Sequence, residues 1–203
     1  MAGFDSYRLT VYFLRHGEAV GNVRGGYYGH TDCPLTAKGC QQAVSAGKQL
    51  QKLREEAGRE LLLVTSPLER ARHTAAIVRE TAGLRGAFFV EPDWQEIDFG
   101  RWEKRHYQDI AREEPAAWQS LCDDWQAFCY PQGESFRMFA ERVIEAWQKW
   151  QQAAAREEKD LLVVSHGGVL KVIRLFAEAR PWEDFWQLDI SLGEVQLMSL
   201  PVR

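Results

Sequence analysis

The stretch "LTVYFLRHGEAVGN", Leu9–Asn22, decides how the rest of the chain is read. Apolar and β-branched residues run without interruption and stop at Arg15, His16 and Gly17. A continuous run of this kind predicts a strand buried on both faces, as in a parallel sheet covered by helices. An arginine and a histidine side by side at its end call for a reason.

Two further segments repeat the pattern of apolar run, polar break and helical periodicity. One is "ELLLVTS" (residues 60–66) followed by "PLERARHTAAIVRETAG" (67–83); the other is "DLLVVSHGG" (160–168) followed by "VLKVIRLFAEA" (169–179). After the first strand and a Gly-rich loop, a helix is predicted from about Ala37 to Glu56, with Thr36 as N-cap and Gly58 as stop. In the second unit Ser66 and Glu69 read as a capping box, Pro67 as the first helical residue and Gly83 as the end. Further strands are expected at "AFFVEP" (87–92) and "EVQLMSLP" (194–201). The predicted fold class is α/β: a three-layer α/β/α sandwich with a mostly parallel central sheet, as one domain over 1–203. The segment from about 100 to 135 breaks the pattern. It carries Trp102, Trp118 and Trp125 with Pro115 and Pro131 and no clean strand, and reads as a small helical lid insertion. A long helix over about 134–158 returns to the core.

The 203 residues suffice for one sizeable core with an inserted lid. A net charge of -4 leaves no basic surplus for sequence-independent binding to nucleic acid or an anionic membrane, so any anion needs a local basic pocket. Cys33, Cys40, Cys122 and Cys129 show no C-x-x-C spacing and are expected as reduced thiols. No signal peptide and no window of ~20 apolar residues is present, which predicts a cytoplasmic protein.

Ligands of open α/β sheets bind at the carboxyl ends of the strands. Three strands deliver Arg15, His16 and Gly17, Ser66 to Arg70, and Ser165 to Gly168 to that edge; "DWQEIDFGRWE" (93–103) adds Glu96 and Asp98. Two histidines, two arginines and a carboxylate suit phosphoryl transfer. Arginine forks hold a phosphate dianion, and a neutral imidazole is a competent nucleophile near pH 7. The second histidine donates as charge develops, and a carboxylic acid protonates the leaving alkoxide. Gly17 is expected to let the chain turn so that the ring leaves the sheet. No metal or other cofactor is required. Singly, each residue has a plainer reading as ion-pair partner, structural histidine or loop carboxylate. His30, His73 and His106 lack the strand-His-Gly context and read as structural.

The motifs "LRHGEAVGN" (14–22), "TSPLERARHTA" (65–75), "EIDFGRWE" (96–103) and "VVSHGGV" (163–169) resemble, in order, those of the histidine phosphatase superfamily, the phosphoglycerate mutase-like fold. The resemblance implies that His16 is the phosphorylated nucleophile and Glu96 the proton donor. It implies that Arg15, Arg70, His166 and Asn22 bind the phosphate, with Gly168 contributing backbone. Ala19 departs from the pattern, where many members carry Ser or Thr.

Within the superfamily, "GHTDCPLTAKG" (29–39), "FGRWEKRHYQDI" (99–110) and "DDWQAFCYPQGESFRMFAERV" (123–143) resemble the α-ribazole phosphatases of cobalamin synthesis. Their resemblance implies a phosphomonoesterase acting on α-ribazole 5′-phosphate, or on the adenosylcobalamin 5′-phosphate form. The lid tryptophans then either face a flat benzimidazole or simply pack the lid. A broad-specificity sugar-phosphate phosphatase and a phosphoglycerate mutase are the rivals. From Arg101 to Ser135 four Arg and Lys stand against seven Asp and Glu, a balance that argues against a doubly anionic ligand and so against the mutase. A non-catalytic phosphatase-like binding module is the reading from another class; retention of all four site cations and histidines argues against it. The expected partner is a small-molecule phosphomonoester, with no nucleic acid or membrane; a homodimer stays open.

Overall fold

The structure, a computed structural model, describes residues 8–201. Among them, five strands form one sheet: β1 (Arg8–Arg15), β2 (Leu61–Thr65), β3 (Phe89–Val90), β4 (Asp160–Ser165) and β5 (Val195–Pro201). Their spatial order is β3-β2-β4-β1-β5. The first four are parallel and β5 runs antiparallel along the edge of β1. The helices are α1 (Val20–Arg24), α2 (Ala37–Ala57), α3 (Glu69–Thr81), α4 (Tyr107–Glu113), α5 (Pro115–Asp123), α6 (Phe136–Arg156) and α7 (Gly167–Ala177). None is long and apolar enough to cross a membrane.

Alternation along the strands divides the core into two layers. Leu9, Val11 and Phe13 of β1, with Leu161 and Val163 of β4, face α6 and α7, where Val143, Trp147, Leu170 and Ile173 meet them. Tyr12, Leu14, Leu162 and Val164 face Ala43, Ala46 and Leu50 of α2 and Ala75 and Val78 of α3. The expected three-layer α/β/α arrangement with a mostly parallel sheet is therefore the one observed.

Local chemistry sets the element ends. Thr36 Oγ1 accepts from the Gly39 N–H at 3.1 Å, and Gly58, at φ 69°, closes α2. The capping box expected at Ser66 and Glu69 does not form. Helix α3 begins at Glu69, after Pro67 and Leu68, and its first N–H donates to Asp32 Oδ2 at 2.6 Å. A carboxylate remote in sequence caps the helix, which frees Ser66 for another contact described below. The expected strand over 87–92 shrinks to Phe89–Val90, because Glu91 turns inward to accept from Lys149 Nζ and Trp150 Nε1, both at 2.7 Å.

Gly17 also has a different basis from the one expected. It is absent from the positive-φ residues. A Cβ at Gly17 would lie 2.3 Å from the Gly39 carbonyl oxygen, and one at Gly39 would lie 2.0 Å from the Glu18 oxygen. Two glycines thus let the first turn of α2 rest directly on the chain leaving β1.

The excursion between Gly100 and Ser135 is helical, as expected. Trp102 is its centre, wholly buried with Ile110 and Tyr130. Its ring stacks on Phe128 at 5.3 Å and its Nε1–H donates to Glu114 at 3.2 Å. It packs this small core and has no surface left for a ligand. Trp102→Ala should cost about 3–5 kcal/mol in urea unfolding, as expected for emptying a buried aromatic site.

Candidate active site

β1 and β4 end level: Arg15 pairs with Ser165, and the His16 N–H donates to the Ser165 carbonyl at 2.9 Å. The residues that follow are His16 and His166, whose rings meet edge to face with centroids 5.1 Å apart. Both are almost inaccessible.

His16 Nδ1 lies 2.8 Å from the Gly17 carbonyl. A carbonyl only accepts, so Nδ1 carries the proton and Nε2 keeps its lone pair. Burial first, then the positive field of Arg70, pushes the His16 pKa down to about 3, so the ring is neutral at any ordinary pH. His166 is likewise held well below the usual range, by burial and then by Arg70. Ser66 Oγ sits 2.7 Å from His166 Nε2. Leu68 N–H donates to the same hydroxyl oxygen at 3.3 Å, and with the Ser66 O–H donating to Nε2 the ring proton sits on Nδ1. That Nδ1 is buried and has no partner among the described residues.

The two arginines are fixed from behind. Arg15 donates from Nη1 to the Ile190 carbonyl at 3.0 Å, and its guanidinium lies against Gly167, where a Cβ would stand 3.3 Å from Cζ. Its Nε is buried without a partner among the described residues. Arg70, 2% exposed, donates to the carbonyls of Thr31 (2.9 Å) and Gly29 (2.7 Å). Arg72, two positions on, faces solvent. Glu96 is seated by two backbone donors, Ile97 N–H at 3.1 Å and Gly168 N–H at 3.0 Å. A Cβ on Gly168 would fall 2.3 Å from Glu96 Oε1. Gly168 thus gives its backbone to Glu96. Asn22 is exposed at the start of α1, where its Oδ1 accepts from the Ala19 N–H at 2.9 Å; its amide NH2 is the donor that remains.

A neutral imidazole with a free lone pair, orphaned donors on a second imidazole and an arginine, and a seated carboxylate are the parts of a phosphoryl-transfer site. The family model of the histidine phosphatase superfamily (branch 1) matches residues 11–201. The chain belongs to that superfamily. It is 36% identical over 185 residues to an adenosylcobalamin/alpha-ribazole phosphatase of Salmonella typhimurium, covering 91% of this chain and 87% of that protein. The crystal structure of the alpha-ribazole phosphatase from Shigella flexneri superposes with a TM-score of 0.77 at 32% identity, covering 93% of this chain and 89% of that one. A protein of Erwinia tasmaniensis described as a "probable phosphoglycerate mutase" is 32% identical over 165 residues, 81% of this chain and 73% of its own length.

In this histidine phosphatase a cavity of about 600 Å3 lies between the helical excursion and the sheet edge. It reaches the site at Arg15, Glu96, Gly167 and Gly168. Its walls are mostly aromatic: Trp118 and Trp125 from the excursion, Tyr27 and Phe99 beside it, Phe136 and Phe139 from α6, and Phe185 and Trp186 from a short 3-10 turn. Trp118 and Trp125 therefore line the space that Trp102 does not reach.

Several contributors escaped the sequence reading. The spacing from Ser66 to Glu69 reads as a cap and hides the contact of Ser66 with His166. Lys171 and the aromatics at Tyr27, Phe185 and Trp186 carry no motif, although Lys171 stands one helical turn beyond the glycines of "SHGG". His30, read as structural, does join two loops: its Nδ1 is 3.6 Å from Asp98 Oδ2.

The neutral burial of His16 has a pH signature. Its pKa is about 3 in the fold and 6.5 ordinarily. Between these values the unfolded chain binds more protons, so stability falls as pH drops below about 6.5. At about 1.4 kcal/mol per pH unit, the wild type should lose about 2 kcal/mol more than His16→Gln between pH 7.5 and pH 5, read by urea unfolding of the ligand-free protein.

Proposed function

We propose that the protein is a phosphomonoesterase that works through phospho-His16 and acts on α-ribazole 5′-phosphate, or on the adenosylcobalamin 5′-phosphate form, in the cytoplasm. Residues 1–203 act as one domain, with segment 100–135 as its lid. His16 Nε2 attacks phosphorus, the bond to the alcohol oxygen breaks, and Glu96 protonates the leaving alkoxide. Glu96 then takes a proton from water as that water attacks phosphorus; the P–N bond breaks and phosphate leaves. Arg15 and Arg70 hold the nonbridging oxygens, with Asn22 and His166 Nδ1 as further donors. Charge-assisted donors of this kind act most strongly where charge builds in the transition state.

The observation that carries the substrate reading is the aromatic cavity meeting the site at Glu96. The alcohol half of the ester leaves toward Glu96 and therefore into that cavity. Trp118 and Trp125 offer faces for a flat, uncharged base. The relatives named for α-ribazole phosphate chemistry, which cover about nine-tenths of the chain, support the same reading.

Two experiments test it. Rapid-quench labelling should trap an acid-labile phosphoenzyme in the wild type and none in His16→Ala; label on another residue would refute the nucleophile. For the substrate, kcat/KM for α-ribazole 5′-phosphate should exceed that for a generic chromogenic monoester and for 3-phosphoglycerate by more than tenfold, about 1.4 kcal/mol of discrimination. Ratios within tenfold would leave a broad-specificity phosphatase. Mutase turnover of 3-phosphoglycerate with a bisphosphate primer would replace both. Trp125→Ala should reduce the preference for the benzimidazole substrate.

A further inference from the structure

The lid's acidic residues do not face the cavity. Glu103 accepts from the N–H groups of Gly29, His30 and Thr31. Glu114 and Glu113 hold Arg105, Asp109 holds Arg112, and Glu134 holds Arg142. Asp123 accepts from Gln119, and Asp124 from the Ala127 N–H. The net acidity of the segment therefore says little about its ligand, and the cavity's charge is set by Arg15, Glu96 and Lys171.

Lys171 is the unusual member. It projects from α7, one turn beyond Gly167 and Gly168, and is half-buried in the cavity wall. Its ammonium lies 5.1 Å from the ring centroid of Phe185 and 5.9 Å from that of Trp186. Among the described residues no carboxylate forms an ion pair with it, and no hydrogen-bond acceptor is assigned to it. Arg15, which shares the cavity wall, is by contrast anchored through Nη1 to the Ile190 carbonyl. Aromatic faces stabilise a cation without taking its N–H bonds, so a partly desolvated ammonium here keeps three unused donors. Burial and then the charge of Arg15 lower its pKa, while the charges of Glu96 and Asp189 act the other way.

We propose that Lys171 is a specificity-determining residue that donates to an oxygen acceptor, a hydroxyl or a carboxylate, on the alcohol half of the substrate. The assignment of the cavity to the alcohol half rests on the function proposed above. Phe185 and Trp186, the rings over which the ammonium sits, belong to the cavity wall, whereas His16 and Arg70 lie outside it. Lys171 thus reads what the phosphate is attached to. A ribosyl ester offers hydroxyls; a phosphoglycerate offers a carboxylate.

The test is kcat/KM of wild type and Lys171→Met on phenyl phosphate, ribose 5-phosphate and 3-phosphoglycerate. Phenyl phosphate has no acceptor on its alcohol half beyond the ester oxygen. The expected result is a tenfold or larger fall in the ratio of ribose 5-phosphate to phenyl phosphate activity. A fall confined to the 3-phosphoglycerate ratio also supports a reading lysine, but one that reads a carboxylate, and counts against the ribosyl substrate. Equal losses on all three substrates, or no loss on any, overturn the proposal, whatever the wild-type substrate order says about the proposed function. Lys171→Gln, which keeps donors without the charge, is measured alongside with thermal melts of both variants. If Lys171→Met does not fold, the Lys171→Gln ratio decides by the same criterion.

Discussion

The parallel register of β1 on β4 is the constraint on which the site depends. Arg15 stands opposite Ser165, and both strands are buried on each face between helices. A shift of one residue would turn Val11, Phe13, Leu161 and Val163 toward the wrong layer, so two separate cores enforce the register. With it fixed, His16 and His166 have to emerge side by side. Glycines after each strand then admit what must come close. Gly17 admits the start of α2, Gly167 the Arg15 guanidinium, and Gly168 the Glu96 carboxylate. The same small residues that end the strands set the approach distances in the site.

Burial explains why these groups suit a dianion. Two arginines are held under the sheet edge beside two imidazoles that burial keeps neutral. Arg15 Nε and His166 Nδ1 have no partner among the described residues. Unsatisfied buried donors cost stability, and native proteins keep few of them. Here both sit at one sheet edge, where a phosphate would supply acceptors and negative charge together. The neutrality of His16 serves the same end, since its Nε2 lone pair is then available without a deprotonation step.

The α/β fold, and the placing of His16 and His166 directly after two buried strands, were legible because their signals are local and one-dimensional. Apolar runs mark buried strands, and His-Gly after a strand marks the edge where ligands bind. What was not legible depends on partners distant in sequence. Ser66 looked like a helix cap because Glu69 follows at the right spacing, yet Asp32, over thirty residues earlier, caps α3, and Ser66 turns to His166. Trp102 and Trp125 look alike in the sequence; only packing shows that one fills the excursion's core and the other its open face. The short β3 likewise reflects Glu91, whose inward turn needs Lys149 and Trp150 from α6.

The excursion and the acid loop share a single anchor. Arg142, on α6, donates to the carbonyls of Asp93 (2.6 Å), Gln95 (3.0 Å) and Glu96 (3.2 Å). It also forks onto Glu134, the residue just before the α6 N-cap Ser135. Glu134 in turn accepts from the Asp98 N–H at 2.9 Å. Arg142 and Glu134 therefore grip residues 93–98 from both ends while closing the excursion onto α6. A bidentate arginine-carboxylate pair has a defined geometry and is only partly exposed, so it resists displacement better than a surface pair. The position of Glu96 is thus set by the same contacts that fix where the cavity's aromatic wall begins.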